Sequence, residues 1–252
     1  MFPRTKIENV AEWRIKPFKI IGNVYFVGTY HSSSHLIDTG DGLILVDVGH
    51  NKSLYLVINS IYELGFNPKD IKYIFITHWH RDHSEATELL KALTGAKTMI
   101  GEKDEEKAKA FFNADITIKD GDTLTLGNTT LNFMETPGHT RGTISFFMNV
   151  IDNGKNYRVG MFGGTGQNTL QKGRFDFEGC REAYLDTLNR LRKEKVDVFI
   201  GNHVWDNDTN VKGAMLLETG NNSFIDDKLW GKFLDFCEKR YYEVLSEDYE
   251  QK

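Results

Sequence analysis

Ile76-Thr77-His78-Trp79-His80-Arg81-Asp82-His83-Ser84 gathers three histidines and a carboxylate into six consecutive positions, 78 to 83. The apolar run Ile71-Lys72-Tyr73-Ile74-Phe75-Ile76 leads into it and reads as a buried strand. Ala86, Leu89, Leu90 and Leu93 follow at i, i+3, i+4 and i+7, the spacing of an amphipathic helix. Ser84 is placed to cap that helix, with Glu85 and Glu88 near its positive end. The cluster is therefore predicted on a strand-to-helix turn, where a rigid scaffold exposes side chains to chemistry. On an extended segment His78 and His80 point to one side, and Asp82 and His83 lie past the strand, free to turn to a neighbouring site. Imidazole nitrogens and carboxylate oxygens are zinc ligands, and a catalytic zinc keeps one position open for water. A lone histidine would read as a packing or capping residue; this spacing points to a metal site.

Upstream, Phe18–Ile21, Val24–Val27, His35–Ile37 and Leu43–Val46 read as short strands. Gly22-Asn23, Gly28 and Thr39-Gly40-Asp41-Gly42 separate them as hairpin punctuation. Asp47-Val48-Gly49-His50 ends the fourth run; it reads either as a turn or as a carboxylate orienting a metal ligand from behind. Ser53 opens a helix with Leu54, Val57, Ile58 and Ile61 on one face, closed by Gly65 and Pro68. His35 lies inside a strand and reads as packing, while His31 and His50 fall in loops that could rim a site.

Downstream, Lys97–Ile100 predicts a strand and Glu102 to about Phe112 a charged helix. A second series of strands runs through 116–118, 123–126, 130–134, 143–148 and 157–162. A helix is expected from about Arg181 to Lys193, a buried strand at Val196–Ile200, and a last helix from Asp226 to about Tyr242. The stripe Trp230, Phe233, Leu234, Cys237 and Tyr241 of that last helix reads as core contact. Two similar strand-then-helix halves predict one domain over 1–252, with two packed sheets and helices outside.

At 252 residues and 40% hydrophobic, the chain can bury a core without disulfides. Cys180 and Cys237 are too few and too far apart for a zinc ribbon and read as buried free thiols. A net charge of -5 gives no nucleic-acid footprint. No run reaches transmembrane length, and Met1–Glu8 lacks the apolar core of a signal peptide. The sequence as it stands reads as soluble and cytoplasmic, or periplasmic or secreted if a leader has been removed, with a small molecule as its partner.

Glu135-Thr136-Pro137-Gly138-His139-Thr140-Arg141-Gly142 puts His139 at the tip of a turn after a strand, and Ile200-Gly201-Asn202-His203 puts His203 past another. His78-x-His80-x-Asp82-His83 and Thr136-Pro137-Gly138-His139-Thr140-x-Gly142 resemble the two signatures of the metallo-β-lactamase fold superfamily. Similarity to its subclass B3 lies in Ile21–Thr29, Ser33–Ile37 and Leu45-Val46-Asp47-x-Gly49. The resemblance implies an αββα sandwich of two mixed β-sheets, helices on both outer faces and a metal site at one edge. It further implies two zinc ions, the first held by His78, His80 and His139, the second by Asp82, His83 and His203. Asp82 would also orient a zinc-bound hydroxide that attacks the carbonyl of a β-lactam amide. Superfamily hydrolases of the glyoxalase-II and lactonase types carry a metal-bridging aspartate where this chain has Phe162-Gly163-Gly164-Thr165. B3 enzymes lack the bridge, but their Asp-Ser-Leu-Ser-like stretch is replaced here by Gly-Gly-Thr-Gly. Thr165, Gln167 and Asn168 are candidate substrate contacts.

Rival readings predict other features. A superfamily ribonuclease is expected to show a basic face, and a flavodiiron oxygen reductase a carboxylate where His80 stands. A binding protein that has lost catalysis is expected to lack ligands, and all six are present. The alternative that remains is a hydrolase of the same fold acting on a lactone, thioester or peptide-like compound.

Overall fold

In the computed structural model, residues 9–250 are described. The Met1–Glu8 stretch lies outside them. The first sheet runs in the order β1 (Phe18–Ile21), β2 (Val24–Phe26), β3 (His35–Asp38), β4 (Leu43–Val46), β5 (Ile71–Ile76), β6 (Lys97–Gly101) and β7 (Ile116–Ile118). It is antiparallel from β1 to β4 and parallel from β4 to β7. The second sheet contains β8 (Thr123–Leu126), β9 (Thr129–Glu135), β10 (Ile144–Asp152) and β11 (Lys155–Met161), all antiparallel, and β12 (Val198–Phe199), parallel to β11.

Strand periodicity sorts the core into layers, because successive side chains leave opposite faces. Phe75 of β5 and Phe146 of β10 point between the sheets and meet edge to face at 5.8 Å. Ile74 and Ile76, one residue out of phase, point the other way onto α1 (Leu54–Glu63) and α3 (Thr87–Thr94), against Val57, Ile61 and Leu90. Phe147 likewise leaves the second sheet toward α5 (Cys180–Leu191) and α7 (Leu229–Glu250), where it packs with Leu188, Trp230 and Leu234. Helices thus cover both outer faces of two face-to-face mixed sheets, the αββα sandwich the resemblance implied. Cys180 and Cys237 are buried free thiols, and the stripe from Trp230 to Tyr241 is buried as its spacing required. Among the described residues no helix is long and apolar enough to cross a membrane.

Three local readings are corrected and one helix is added. Ser84 does not cap the helix that follows: it ends α2 (Arg81–Ser84), whose N-cap position is His80, and donates its hydroxyl back to the Trp79 and His80 carbonyls. The break between α2 and α3 shifts the helical phase, so Ala86 and Leu90 are buried but Leu89 and Leu93 face solvent. The charged helix after β6 is only a 3-10 turn, Glu102–Asp104, and α4 (Glu105–Ala108), because the chain must turn back into β7. An unexpected helix, α6 (Thr209–Thr219), packs on β1. Its faces are weakly differentiated, with Val211, Met215 and Leu217 exposed. What seats it is Gly213, where a Cβ would fall 2.2 Å from Phe18 Cε1.

That contact predicts opposite outcomes for two helical glycines. Gly213→Ala is expected to lower unfolding stability by about 1–3 kcal/mol through overpacking against Phe18. Gly231→Ala, in α7 with no atom within 4 Å of the new methyl, is expected to raise it by up to about 1 kcal/mol. Urea unfolding of the two variants beside the parent measures both signs; a neutral Gly213→Ala would show that α6 is loosely seated.

Candidate metal centre

The polar cluster gathers where strands end. β5 stops at Ile76, so His78, Trp79 and His80 lie on the loop after the strand, and Asp82 and His83 on the single turn of α2. His139 stands on the β9–β10 turn, which is seated on α5: Thr187 Oγ1 donates to the Pro137 carbonyl at 2.8 Å, and Gly138 lies so close to Tyr184 that a Cβ would fall 2.7 Å from it. His203 follows β12, with its backbone N–H donating to Asp206 at 3.0 Å.

These segments bring together all six residues named from the sequence as metal ligands, in two sets. In each of His78/His80/His139 and Asp82/His83/His203, one nitrogen or oxygen per residue lies within 4.8 Å of the others. The His80 and His139 rings approach to 2.9 Å, Nδ1 to Nε2, and the His83 and His203 Nε2 atoms to 3.4 Å. His78 and His83 ring centroids are 4.3 Å apart, so the two sets adjoin.

Hydrogen bonds behind the rings decide which nitrogen each offers, since a histidine tied at one ring nitrogen presents the other. His83 donates from Nδ1 to Asp47 Oδ2 at 2.8 Å, His139 to the Gly166 carbonyl at 2.7 Å, and His203 to the His31 carbonyl at 3.1 Å. His78 Nδ1 lies 3.1 Å from Thr77 Oγ1. The Thr77 hydroxyl already donates to Asp47 at 2.8 Å, so it accepts from His78 and leaves Nε2 unprotonated. That Nε2 is buried with no hydrogen-bond partner. A buried imidazole lone pair without a donor is costly unless something else occupies it, and a cation does so. Four rings thus aim Nε2 inward while His80 presents Nδ1, a donor set that fits metal ions.

Electrostatics agree with that fit. Burial pushes His80 down to about 2, His139 to about 4 and His203 to about 3, and the same burial with neighbouring imidazoles holds His78 well below its usual value. Neutral rings are the ligating form. His83 differs: burial opposes its charge, but Asp82 and Asp47 outweigh it and hold its pKa up to about 10. For Asp82 burial is outweighed by His83 and His203, and its carboxyl stays well below the usual range. Two carboxylates facing one imidazole make a local field that a cation balances.

The remaining sequence candidates divide. Thr165 donates to Asp206 at 3.4 Å, and the half-buried Gln167 donates from its amide to the Thr165 carbonyl and Tyr184 hydroxyl at 2.8 Å each. Asn168 is exposed. His35 is fully buried with neither ring nitrogen bonded, packs edge-on to Phe26, and is pushed down to about 3 by burial. His50 pairs with Glu85 at 3.0 Å, and His31 enters through its carbonyl rather than its ring. Asp47 stands behind His83 and Thr77, accepting from both. Sequence reasoning missed Asn202, which donates to Thr77 Oγ1 at 3.2 Å, and the Gly166 and His31 carbonyls, whose role no side chain advertises.

Comparison with known proteins places this geometry. The profile of the metallo-beta-lactamase superfamily matches residues 27–150. A subclass B3 metallo-beta-lactamase of Bradyrhizobium japonicum is 30% identical, superposes with a TM-score of 0.87, and is matched over 95% of this chain and 98% of its own. The native metallo-beta-lactamase from Legionella gormanii gives 30% identity and a TM-score of 0.88 over 93% and 97%. Among curated sequences, a hydroxyacylglutathione hydrolase of Hyphomonas neptunium is 31% identical over 162 residues, 64% of this chain and 58% of its own length. One from Brucella anthropi is 42% identical over 78 residues, 31% of this chain and 29% of its own. The chain therefore spans well under two thirds of these curated relatives.

The Asp47–His83 bond yields a test. Asp47 sits at φ 56°, a left-handed conformation that asparagine tolerates, so Asp47→Asn keeps the backbone while removing the charge. Affinity for a divalent metal ion at the Asp82/His83/His203 set is expected to fall about 10–100-fold. Competition with a chromophoric chelator measures it; equal affinities in variant and parent would show that the carboxylate does not act on His83.

Proposed function

Because the chain belongs to the metallo-β-lactamase superfamily, we propose that it is a dinuclear zinc hydrolase that opens the amide of a β-lactam. The observation that carries the reading is the inward aim of five imidazoles and one carboxylate in two adjoining sets of three. His78, His80 and His139 would hold one ion and Asp82, His83 and His203 the other. Sets this rich in imidazole suit zinc over the harder cations. Zinc supplies hydroxide at neutral pH by lowering the pKa of bound water from about 15.7 to about 7.

The chain's own groups do the rest. Asp82, half-exposed and ionised, has one oxygen facing His83 and His203; its other oxygen can accept a hydrogen bond from the attacking water and fix its approach. The acceptors behind His78, His83, His139 and His203 keep those rings from rotating. Trp205 stacks on His203 at 4.3 Å and 11°, closing one side of that ring to water. The glycines at 163, 164 and 166 leave no side chain to bridge the two sets. A Cβ at Gly163 would fall 2.0 Å from the Ile144 carbonyl, and one at Gly164 would fall 2.9 Å from His139 Cβ. Support for a β-lactam comes from similarity to lactamase structures along nearly the whole chain. A second reading, hydrolysis of a thioester, draws on the shorter matches to hydroxyacylglutathione hydrolases.

Dialysed protein is expected to hold close to two equivalents of zinc. His139→Ala is expected to lose the first ion, and His203→Ala the second alone, each with most of the hydrolytic rate. A spectrophotometric panel of penicillin, cephalosporin, carbapenem and hydroxyacylglutathione thioester, read with added zinc, separates the substrates. Turnover of the thioester alone would replace the β-lactam reading, and metal content near zero that zinc does not restore would remove the hydrolase reading.

A further inference from the structure

Asp104 is a fully buried carboxylate outside the six ligands, at the end of the 3-10 turn that follows β6. Its hydrogen bonds go to none of the six ligand side chains, yet it reaches both loops that carry the first set. Its Oδ2 accepts from the Trp79 backbone N–H at 3.1 Å and from the Thr140 hydroxyl at 2.6 Å, and its Oδ1 accepts from the Gly142 N–H at 2.7 Å. Trp79 lies between His78 and His80, and Thr140 follows His139. One side chain therefore spans the distance between the loop giving two ligands and the loop giving the third.

The approach is too close for substitution on the far side. A Cβ at Gly142 would fall 2.3 Å from the Asp104 backbone N and 2.8 Å from its Cβ, and one at Gly101 would fall 2.0 Å from the Gly142 carbonyl. Burial also pushes the Asp104 carboxyl up to about 6, against the pull of its three donors. A polar group held at that cost with every contact directed at two loops is more than a filler of space. From the solvent side Asp176 grips the same loops, accepting from the Trp79 indole at 3.2 Å and the Arg141 N–H at 3.1 Å. Asp104, from within the core, accepts from main-chain N–H groups on both sides of the gap, those of Trp79 and Gly142.

The geometry points to Asp104 as a positioning residue for the His78/His80/His139 set: it fixes the separation of the two loops and so sets the affinity and coordination geometry of the metal bound there. This rests on the reading of that set as a metal site. Asp104→Asn keeps the size but offers one carbonyl oxygen and an NH2 group, so it can satisfy one loop and must face the other's N–H with a donor.

Cobalt(II) titration of the full chain, with chelator competition, resolves two binding constants, and His139→Ala and His203→Ala assign them to the two sets. In Asp104→Asn the first-set constant is expected to weaken about 10–100-fold, with the second within about twofold of the parent, and the cobalt absorption bands of the saturated first set are expected to shift. A general loss of structure would instead weaken both constants together, and that result, like two unchanged constants with unshifted bands, overturns the assignment. If Asp104→Asn does not fold, Thr140→Val, which removes one bond to the carboxylate, is expected to show the same selective weakening; unchanged constants there overturn it too. A parent protein that takes up no metal overturns the metal reading and this assignment with it, whereas a parent with two metals and an unaltered Asp104→Asn overturns the assignment alone.

Discussion

The carboxylate of Asp47 is the constraint on which the rest of the site depends. It is buried and accepts from the Thr77 backbone N–H, the Thr77 hydroxyl and His83 Nδ1, each at 2.8 Å, with Asn202 at 3.4 Å. A buried carboxylate without donors is costly, so each of these groups must stay where it is. Together they tie the end of β4 to the end of β5, to the turn of α2 and to the loop after β12. The backbone takes part as well: the Val48 and Gly49 N–H groups donate to the His83 carbonyl at 3.0 and 3.2 Å. His83 is thus gripped by its ring and its main chain from one short segment, and that segment needs the left-handed φ of Asp47 to make the reach.

Around that anchor the sandwich supplies rigidity and the loops supply chemistry. The two sheets are joined at the site edge by polar bonds as well as apolar packing. The Ile144 N–H donates to the Thr77 carbonyl at 2.9 Å, linking the His78 loop to the second sheet. Ser145 Oγ pairs with Thr136 Oγ1 at 2.8 Å and accepts from the Gly163 N–H at 3.1 Å, linking the His139 turn to the glycine run. The glycine run then passes so close beneath His139 that its carbonyl at Gly166 becomes the ring's acceptor. The bare positions at 164 and 166 go with that backbone contact, because a Cβ there would fall 2.9 Å from His139 Cβ and 3.0 Å from its Cε1.

Much of this is legible in the amino-acid sequence. The strand runs through Phe75 and Phe146 and the buried stripe of α7 follow from periodicity, the cluster at 78–83 from residue chemistry at a strand end, and the grouping of its ligand-type residues with His139 and His203 in two sets from the family resemblance. What is not legible depends on tertiary contact. α6 has no strong apolar face, and its seat is an absence, the missing Cβ of Gly213 beside Phe18. Leu89 and Leu93 fit a helical stripe, but the break after Ser84 resets the phase. The bonds of Thr165 to Asp206 and of Gln167 to Tyr184 come from residues distant in the chain, and nothing local announces them. Asp104 reads as one of several acids in a charged stretch, and only the fold reveals that it alone turns inward from it.

The same contacts show why the site is costly to build and hard to alter. Four imidazoles pack closely together, and burial with mutual repulsion keeps His78, His80, His139 and His203 neutral. His78 Nε2 is left buried with no hydrogen-bond partner, while the other rings meet one another, His80 with His139 at 2.9 Å and His203 with His83 at 3.4 Å. Two buried carboxylates, Asp47 and Asp104, and a non-glycine residue at positive φ add to the cost. Local rules are broken here together and kept almost everywhere else, which is the pattern expected where stability has been traded for a preorganised site. The apolar layers between and outside the sheets offset that cost. The polar groups behind the rings then direct it, since each fixes one tautomer and one ring angle and leaves a single nitrogen to point inward.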